Sequence, residues 1–423
     1  MMKVANRGCI RRLSRKSMAA ARTRNIVAVL AIALTSILFT SLFTIAAALN
    51  ASTEQYNFRT AGGDIHASVK NLTWEQVERL RGDPELVHAG ARLFLGIPED
   101  PPFHKSHVEV SYIEPEEAPH YFCTPTVGAL PADGTDQAAC DRLVLDLLGV
   151  EPEIGARFTL DFYIDTETSH LTAVRRTFTL SGWWEHDPVN PASQVLVSRS
   201  AAEEIAALSS GDPVSSTGKW TMGVMFQSSA HIADDLNALL AHHGMQTTDP
   251  ADDGYVSSGV NWGYTGAQVA ESVDIQTLIV LAAVLVLILL TGYLIIYNVF
   301  QISVTNDIRF YGLLKTIGTT ARQLRRILVY QALWLCLAGI PLGLVLGYLA
   351  GSCMMPVFVG IVNPNLQVVP SFEPLAFAAS AVFSLVTVLL SCARPVRLAG
   401  RVSPVEAVRY TEAAPRRLPR RVR

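Results

Sequence analysis

ISVTNDIRFYGLLKTIGTTARQLRRILVYQ, residues 302–331, lies between two long apolar runs, 278–300 and 327–355. It holds five basic residues, Arg309, Lys315, Arg322, Arg325 and Arg326, against one acid, Asp307. A short loop of that sign between two spans is retained on the cytoplasmic side of a membrane. Within it Ile308, Tyr311, Leu314 and Leu324 are spaced for short amphipathic helices, with Gly312 and Gly318 as breaks. The expectation is a short structured element facing the cytosol, in a chain that is an α-helical membrane protein.

Working outward, four windows without a charged residue are long enough to cross a hydrocarbon core about 30 Å thick: 26–49, 278–300, 327–355 and 374–393. Charge is partitioned around them. Residues 1–24 carry eight Lys or Arg and no acid, and the segment after Ala393 nine bases and two acids. The stretch between the first two windows carries 12 bases and 33 acids. Both termini and the 302–331 stretch are therefore expected in the cytoplasm, with the acidic domain outside. Its excess of negative charge argues against nucleic acid as a partner.

The expected division is a basic amphipathic segment at 1–24 suited to lipid headgroups, transmembrane helices at 25–49, 276–301, 327–355 and 374–393, an extracytoplasmic domain at 50–275, a cytoplasmic coupling region at 302–326, an external loop at 356–373 and a basic tail at 394–423. A cleaved signal peptide is disfavoured, because the first apolar run exceeds the usual length of one. Residues 49–61 lack Gly and Pro, so the first helix is expected to continue out of the membrane. Residues 267–300 contain only Gly292 and read as one helix entering the second span.

The inserted domain has mixed patterning. Thr73 with Gln76 reads as a capping box opening a helix over 74–81, and Ser200 with Glu203 as another opening 201–208. A third helix is expected over 232–242. Strands are expected over 108–113, 157–164, 175–184, 194–198 and 220–227. The fold class is thus four transmembrane helices plus an α+β extracytoplasmic domain inserted between the first and second.

Chemistry-bearing candidates are few. Cys123 and Cys140 are the two cysteines of the external domain; they either close a disulfide, worth about 3 kcal/mol on the chain-entropy model, or are unrelated thiols. His104, His107 and Glu109 lack the spacing of a helical zinc motif. His242 and His243 end a predicted helix, where they suit its dipole. Trp183 and Trp184 alternate across a predicted strand and read as packing residues. No stretch fits GxxxxGK[ST]: the segment from Gly211 to Lys219 has too many residues between its glycines and Trp220 where a hydroxyl belongs. No cofactor or metal is expected on this chain, nor an enzyme activity. Gly339, Gly343, Gly347 and Gly351 recur every four residues in the third window, a stripe that lets another helix approach closely, either within the chain or across a dimer. Pro341 is expected to kink that span.

The sequence DIRFYGLLKTIGTT at 307–320, followed by QLRR at 323–326, closely resembles the coupling region of the FtsX-like permeases, the membrane subunits of MacB-type ABC transporters. LLGVEPEIGARFTL at 147–160, SGWWEHDP at 181–188, ASQVLVS at 192–198 and VMFQSSAHIADDLNALL at 224–240 resemble the extracytoplasmic domain of the same permeases, and SPVEAVRY at 403–410 resembles their cytoplasmic close. The resemblance implies a separate ABC ATPase as partner, carrying the ATP and Mg²⁺. It implies a second permease unit, since the chain looks like one unit or the first half of a longer two-unit permease. It also implies that Asp307, Arg309, Phe310, Tyr311, Gly312, Leu313, Leu314, Lys315 and Gly318 form the ATPase-coupling element, with Phe310 to Leu314 filling a groove and Asp307 and Arg309 at its rim. A membrane receptor whose external domain binds a peptide or cell-wall component is the alternative function.

Overall fold

The computed structural model describes residues 7–164, 172–208, 218–248, 252, 254–272, 275–369 and 372–401. The chain begins with helices α1 (Arg7–Ala20) and α2 (Arg22–Ala61). There follow β1 (Ala67–Leu72), α3 (Trp74–Arg81), β2 (Leu86–Gly96), β3 (Val108–Ile113), a 3-10 turn (Ala118–Tyr121), β4 (Val127–Gly128), β5 (Gln137–Asp141), α4 (Arg142–Leu148), β6 (Arg157–Ile164), β7 (Thr172–Trp184), β8 (Ser193–Val197), α5 (Arg199–Ala206), β9 (Trp220–Phe226), α6 (Ile232–His242), β10 (Ser257–Val260) and α7 (Thr265–Ser272). The chain then returns to long helices, α8 (Ile275–Asn306), the short α9 (Ile308–Thr316), α10 (Ala321–Val362) and α11 (Pro374–Arg401). It divides into two compact units, 1–52 with 274–423, and 53–273.

In the helical unit, α2, α8, α10 and α11 are each long and apolar enough to cross a membrane. All four outrun their apolar windows. α11 continues through Pro395 to Arg401 because Val396 and Ala399 are buried in the bundle core, so 394–401, expected as the start of a tail, is helix. α10 likewise carries Pro341 and Pro356 inside one assigned helix. Small side chains set the contacts: Ser36 Oγ donates to Ser384 Oγ of α11 at 2.9 Å, and Ser391 Oγ to the Tyr293 carbonyl of α8 at 3.1 Å. In a setting without water such hydrogen bonds hold helices that hydrophobicity alone does not. The expected continuous helix into the second span is α7 and α8 with 273–274 outside the described residues, as are 403–410 and the basic tail beyond them.

The inserted unit is built on one mixed sheet in the order β10-β1-β9-β2-β3-β8-β5-β7-β4, with β6 pairing β7. Pairing is antiparallel except for β3 with β8 (Val110 opposite Val195) and β5 with β7. Alternation sorts the strands' side chains: Leu93, Leu95, Val110, Met222 and Val224 join α3, α4, α5 and α6 in the main core, while Arg92, Phe94, Glu109 and Thr221 line the other face. The capping box at Thr73 forms as expected. The second one does not: α5 starts two residues earlier, where the Ser198 hydroxyl accepts from the Ala201 N–H. The Ser200 hydroxyl instead accepts from the Gly134 N–H at 2.8 Å.

The two cysteines are free thiols. Cys123 packs with Ala139 and Trp184 on one face of the sheet, whereas Cys140, next to Ala139 on β5, turns into the main core on the other. The alternation of one strand therefore separates them, and the disulfide is not formed.

Candidate functional site

The helix α9 is held on one side and bare on the other. Its inner face carries Ile308, Tyr311 and Gly312, all buried, with Tyr311 in a core made by Phe300, Val304, Leu324, Leu328 and Val396 and with Leu314 packed against it. Burial pushes the Tyr311 hydroxyl up to about 12, and that hydroxyl donates to Asp307 Oδ2 at 3.1 Å. Asp307 also pairs with Arg24 at the start of α2. Lys315 Nζ donates to the Gly400 carbonyl of α11 at 2.9 Å. Gly318, at φ +97°, ends the helix in a conformation that favours glycine. The Thr320–Gln323 capping box then opens α10.

The outer face carries Arg309, Phe310, Leu313, Thr316 and Ile317, all exposed. Phe310, Leu313 and Ile317 are 39%, 57% and 84% exposed and recur at i, i+3 and i+7, one apolar stripe on one side. Burying each would contribute about 1.5–3 kcal/mol.

This division splits the residue set read from the sequence between two faces. Tyr311 and Leu314 belong to the chain's own core, and Asp307 and Lys315 fasten α9 to α2 and α11. Gly312 is inside the helix, not a break. Phe310 and Leu313 stay on the outer face with Arg309. Ile317 was missed because it follows the last helical residue, although its i+7 spacing from Phe310 was legible.

The glycine stripe faces inward. A Cβ at Gly339 would stand 2.8 Å from Ile32 Cγ2; at Gly343 it would overlap Ser36 Cβ; at Gly347 and Gly351 it would lie 2.7 and 3.0 Å from the Cβ atoms of Thr40 and Thr44. Four glycines four apart on α10 thus meet four residues four apart on α2. The choice the sequence left open falls to a contact within the chain.

In the inserted unit an open cleft of about 810 Å³ lies over the sheet face opposite the main core, floored by Arg92, Phe94 and Glu109 and walled by Asn57, Thr60 and Trp262. The last turns of α2 are tied to this unit: Arg59 pairs with Asp187, Phe58 lies 4.4 Å from the Tyr264 ring, and Glu54 Oε1 accepts from the Thr265 N–H at 2.8 Å. Against the desolvation of its burial, Arg92, His107 and Gln194 hold Glu109 far below the usual carboxylate range. His104 takes no part, and among the described residues these groups do not converge as metal ligands.

Elsewhere in the same unit Glu117, fully buried, lies across the backbones of β2 and β9, where a side chain at Gly90 or Gly223 would overlap its carboxyl group. Burial pushes Glu117 up to about 8 and lowers His88, whose Nε2 is 2.5 Å from Glu117 Oε2. The contact joins one imidazole nitrogen to one carboxyl oxygen in a buried setting that disfavours charge on both groups.

Residues 282–404 match the family model described as FtsX-like permease C-terminal. The resemblance to FtsX-like permeases read from the sequence is borne out over that segment, which contains α9, α10 and α11. The chain is also 36% identical over 102 residues to the lipoprotein-releasing system transmembrane protein LolC of Haemophilus influenzae, a match covering 23% of this chain and 25% of that protein. The match thus spans about a quarter of the relative's length.

Proposed function

We propose that the chain is the permease subunit of an FtsX-like ABC transporter in a bacterial inner membrane, with both termini and α9 in the cytoplasm and the sheet unit outside. The carrying observation is α9 itself. Phe310 and Leu313 of this nine-residue helix, and Ile317 just past its end, are exposed beside Arg309, while Ile308, Tyr311 and Leu314 pack inward and Lys315 is bonded to α11. That stripe is the surface that docks on a separate ATPase, which supplies the ATP and Mg²⁺ site. The family match over 282–404 supports the same reading.

α2 provides the mechanical link, because it is a single helix from Arg22 to Ala61 whose membrane portion meets the glycine stripe and whose last turns are tied to the sheet unit. The first turns of α8, 275–284, are exposed throughout, which suits packing against a second permease unit. The load handled outside is a peptide, a lipoprotein or the control of a cell-wall hydrolase, with lipoprotein release named in the relative at LolC.

The test is co-purification of the ATPase subunit co-expressed with this chain. Phe310→Asp with Leu313→Asp abolishes co-purification while yield and melting temperature of the permease in detergent stay at wild-type levels. Undiminished co-purification and ATPase stimulation in that double variant would remove α9 as the coupling element.

A further inference from the structure

Asp83 and the pair His242–His243 are far apart in sequence and meet where the turn after α3 lies beside the C-terminus of α6. His242 Nδ1 and His243 Nε2 each stand 3.0 Å from the same carboxylate oxygen, Asp83 Oδ2. The three donor atoms lie within 4.8 Å of one another, and the imidazole centroids are 5.0 Å apart. Around tetrahedral Zn²⁺, nitrogen and oxygen ligands at about 2.0–2.2 Å stand about 3.3 Å from each other. The two oxygen–nitrogen edges are already close to that spacing.

The supports are those of a ligand set. The Asp83 side chain is 2% exposed, and its second oxygen accepts from the Glu85 N–H at 2.9 Å, which fixes Oδ2 in direction. The Asp83 N–H donates to the Leu80 carbonyl at 3.1 Å. His243 caps α6, its N–H donating to the Leu239 carbonyl at 3.2 Å, and Leu236, Leu239 and Leu240 seat that helix in the main core. His243 is 17% exposed and His242 73%, so the group opens to solvent on one side. Among the described residues no other group of three or more His, Cys, Asp or Glu side chains converges this way.

We propose that Asp83, His242 and His243 bind one divalent transition-metal ion, Zn²⁺ by the donor set, and that the ion fastens the turn between α3 and β2 to the end of α6. Two imidazoles and a carboxylate are borderline donors suited to Zn²⁺. On binding, each neutral imidazole carries its N–H on the remote ring nitrogen and presents the near lone pair to the ion.

The test uses the tag-free full chain in detergent, stripped with chelator, dialysed, and titrated at pH 7.5 with Co²⁺ followed by visible absorption and then displaced with Zn²⁺. The expected result is one ion per chain, with His242→Gln and His243→Gln each weakening binding at least tenfold and His104→Gln leaving it unchanged. Zn²⁺ raises the melting temperature of the wild type and not of His243→Gln. His242 is exposed enough to be replaced without loss of fold, so that variant decides the question if the others unfold. Absence of saturable binding at one ion per chain, or equal affinity in all three variants, overturns the proposal. Metal binding is read without an ATPase, so its failure leaves the docking of α9 untouched.

Discussion

α10 and α9 are neighbours in the chain and both carry a periodic stripe, yet one stripe is covered by the chain and the other is not. The four glycines of α10 meet Ile32, Ser36, Thr40 and Thr44 of α2. The three apolar side chains along α9 are left exposed among the described residues. Periodicity identifies a face in both cases, but what covers the face is a property of the packed bundle. A covered stripe reports on the fold, and the uncovered one is the surface proposed for a partner.

The sharpest way to break that contrast is to load the covered stripe. Gly343→Leu forces a side chain into the space of Ser36 and separates α2 from α10, at a cost of about 3 kcal/mol or more. The expected outcome is loss of monodisperse protein in detergent. Gly360→Leu, on the same helix with no other side chain among the described residues within 4 Å of its would-be Cβ, leaves yield and melting temperature unchanged. Equal behaviour of the two variants would mean the stripe is not a packing seam.

Within α9 the contrast runs between adjacent residues. Tyr311→Ala empties a buried site and costs about 3 kcal/mol by analogy with other large aromatic truncations. Phe310→Ala, on the open side, costs less than about 1 kcal/mol. Thermal unfolding of both variants in detergent checks the difference, and a larger loss for Phe310→Ala would reverse the assignment of the faces.

A smaller, pH-dependent effect tests coverage of a charge in the sheet unit. Glu117 is raised from its ordinary value to about 8, so the folded chain keeps a proton that the unfolded chain has already lost. Stability contributed by that proton is full below the unfolded value, falls as pH rises, and is gone above about 8. His88 is lowered, so its own contribution rises with pH and levels off about one unit above its ordinary value. Between pH 6.5 and 8 the chain therefore loses up to about 1.4 kcal/mol per pH unit through Glu117. Glu117→Gln removes that slope, as the melting temperatures at the two pH values record. An unchanged slope would place the titration elsewhere.

Much of this architecture was legible. Four apolar windows gave four helices of membrane-crossing length, and the strong alternation of 108–113 and 157–164 gave β3 and β6 at their observed bounds. β2 was not legible, because Gly90 and Gly96 interrupt its pattern; the first makes room for Glu117 and the second for the Tyr163 backbone, and both contacts come from outside the strand. β5 is too short and small-sided to stand out. The cap of α5 moved from Ser200 to Ser198 because Ser200 is engaged by the Gly134 loop. In α9 the residues were found but not their facing, since the core that takes up Tyr311 and Leu314 is assembled from α8, α10 and α11. The meeting of Asp83 with His242 and His243 depends on how α3 and α6 pack on the sheet, which no local pattern records.

The central claim is that α9 has one face for the chain and one for an ATPase, and photo-cross-linking tests it position by position. A photoreactive amino acid is placed singly at 310, 311, 313, 314 and 317 in the chain co-expressed with the ATPase subunit. Cross-links to the ATPase from 310, 313 and 317, with none from 311 and 314, are the predicted result. Cross-links absent from all five positions, or spread evenly over them, would contradict it.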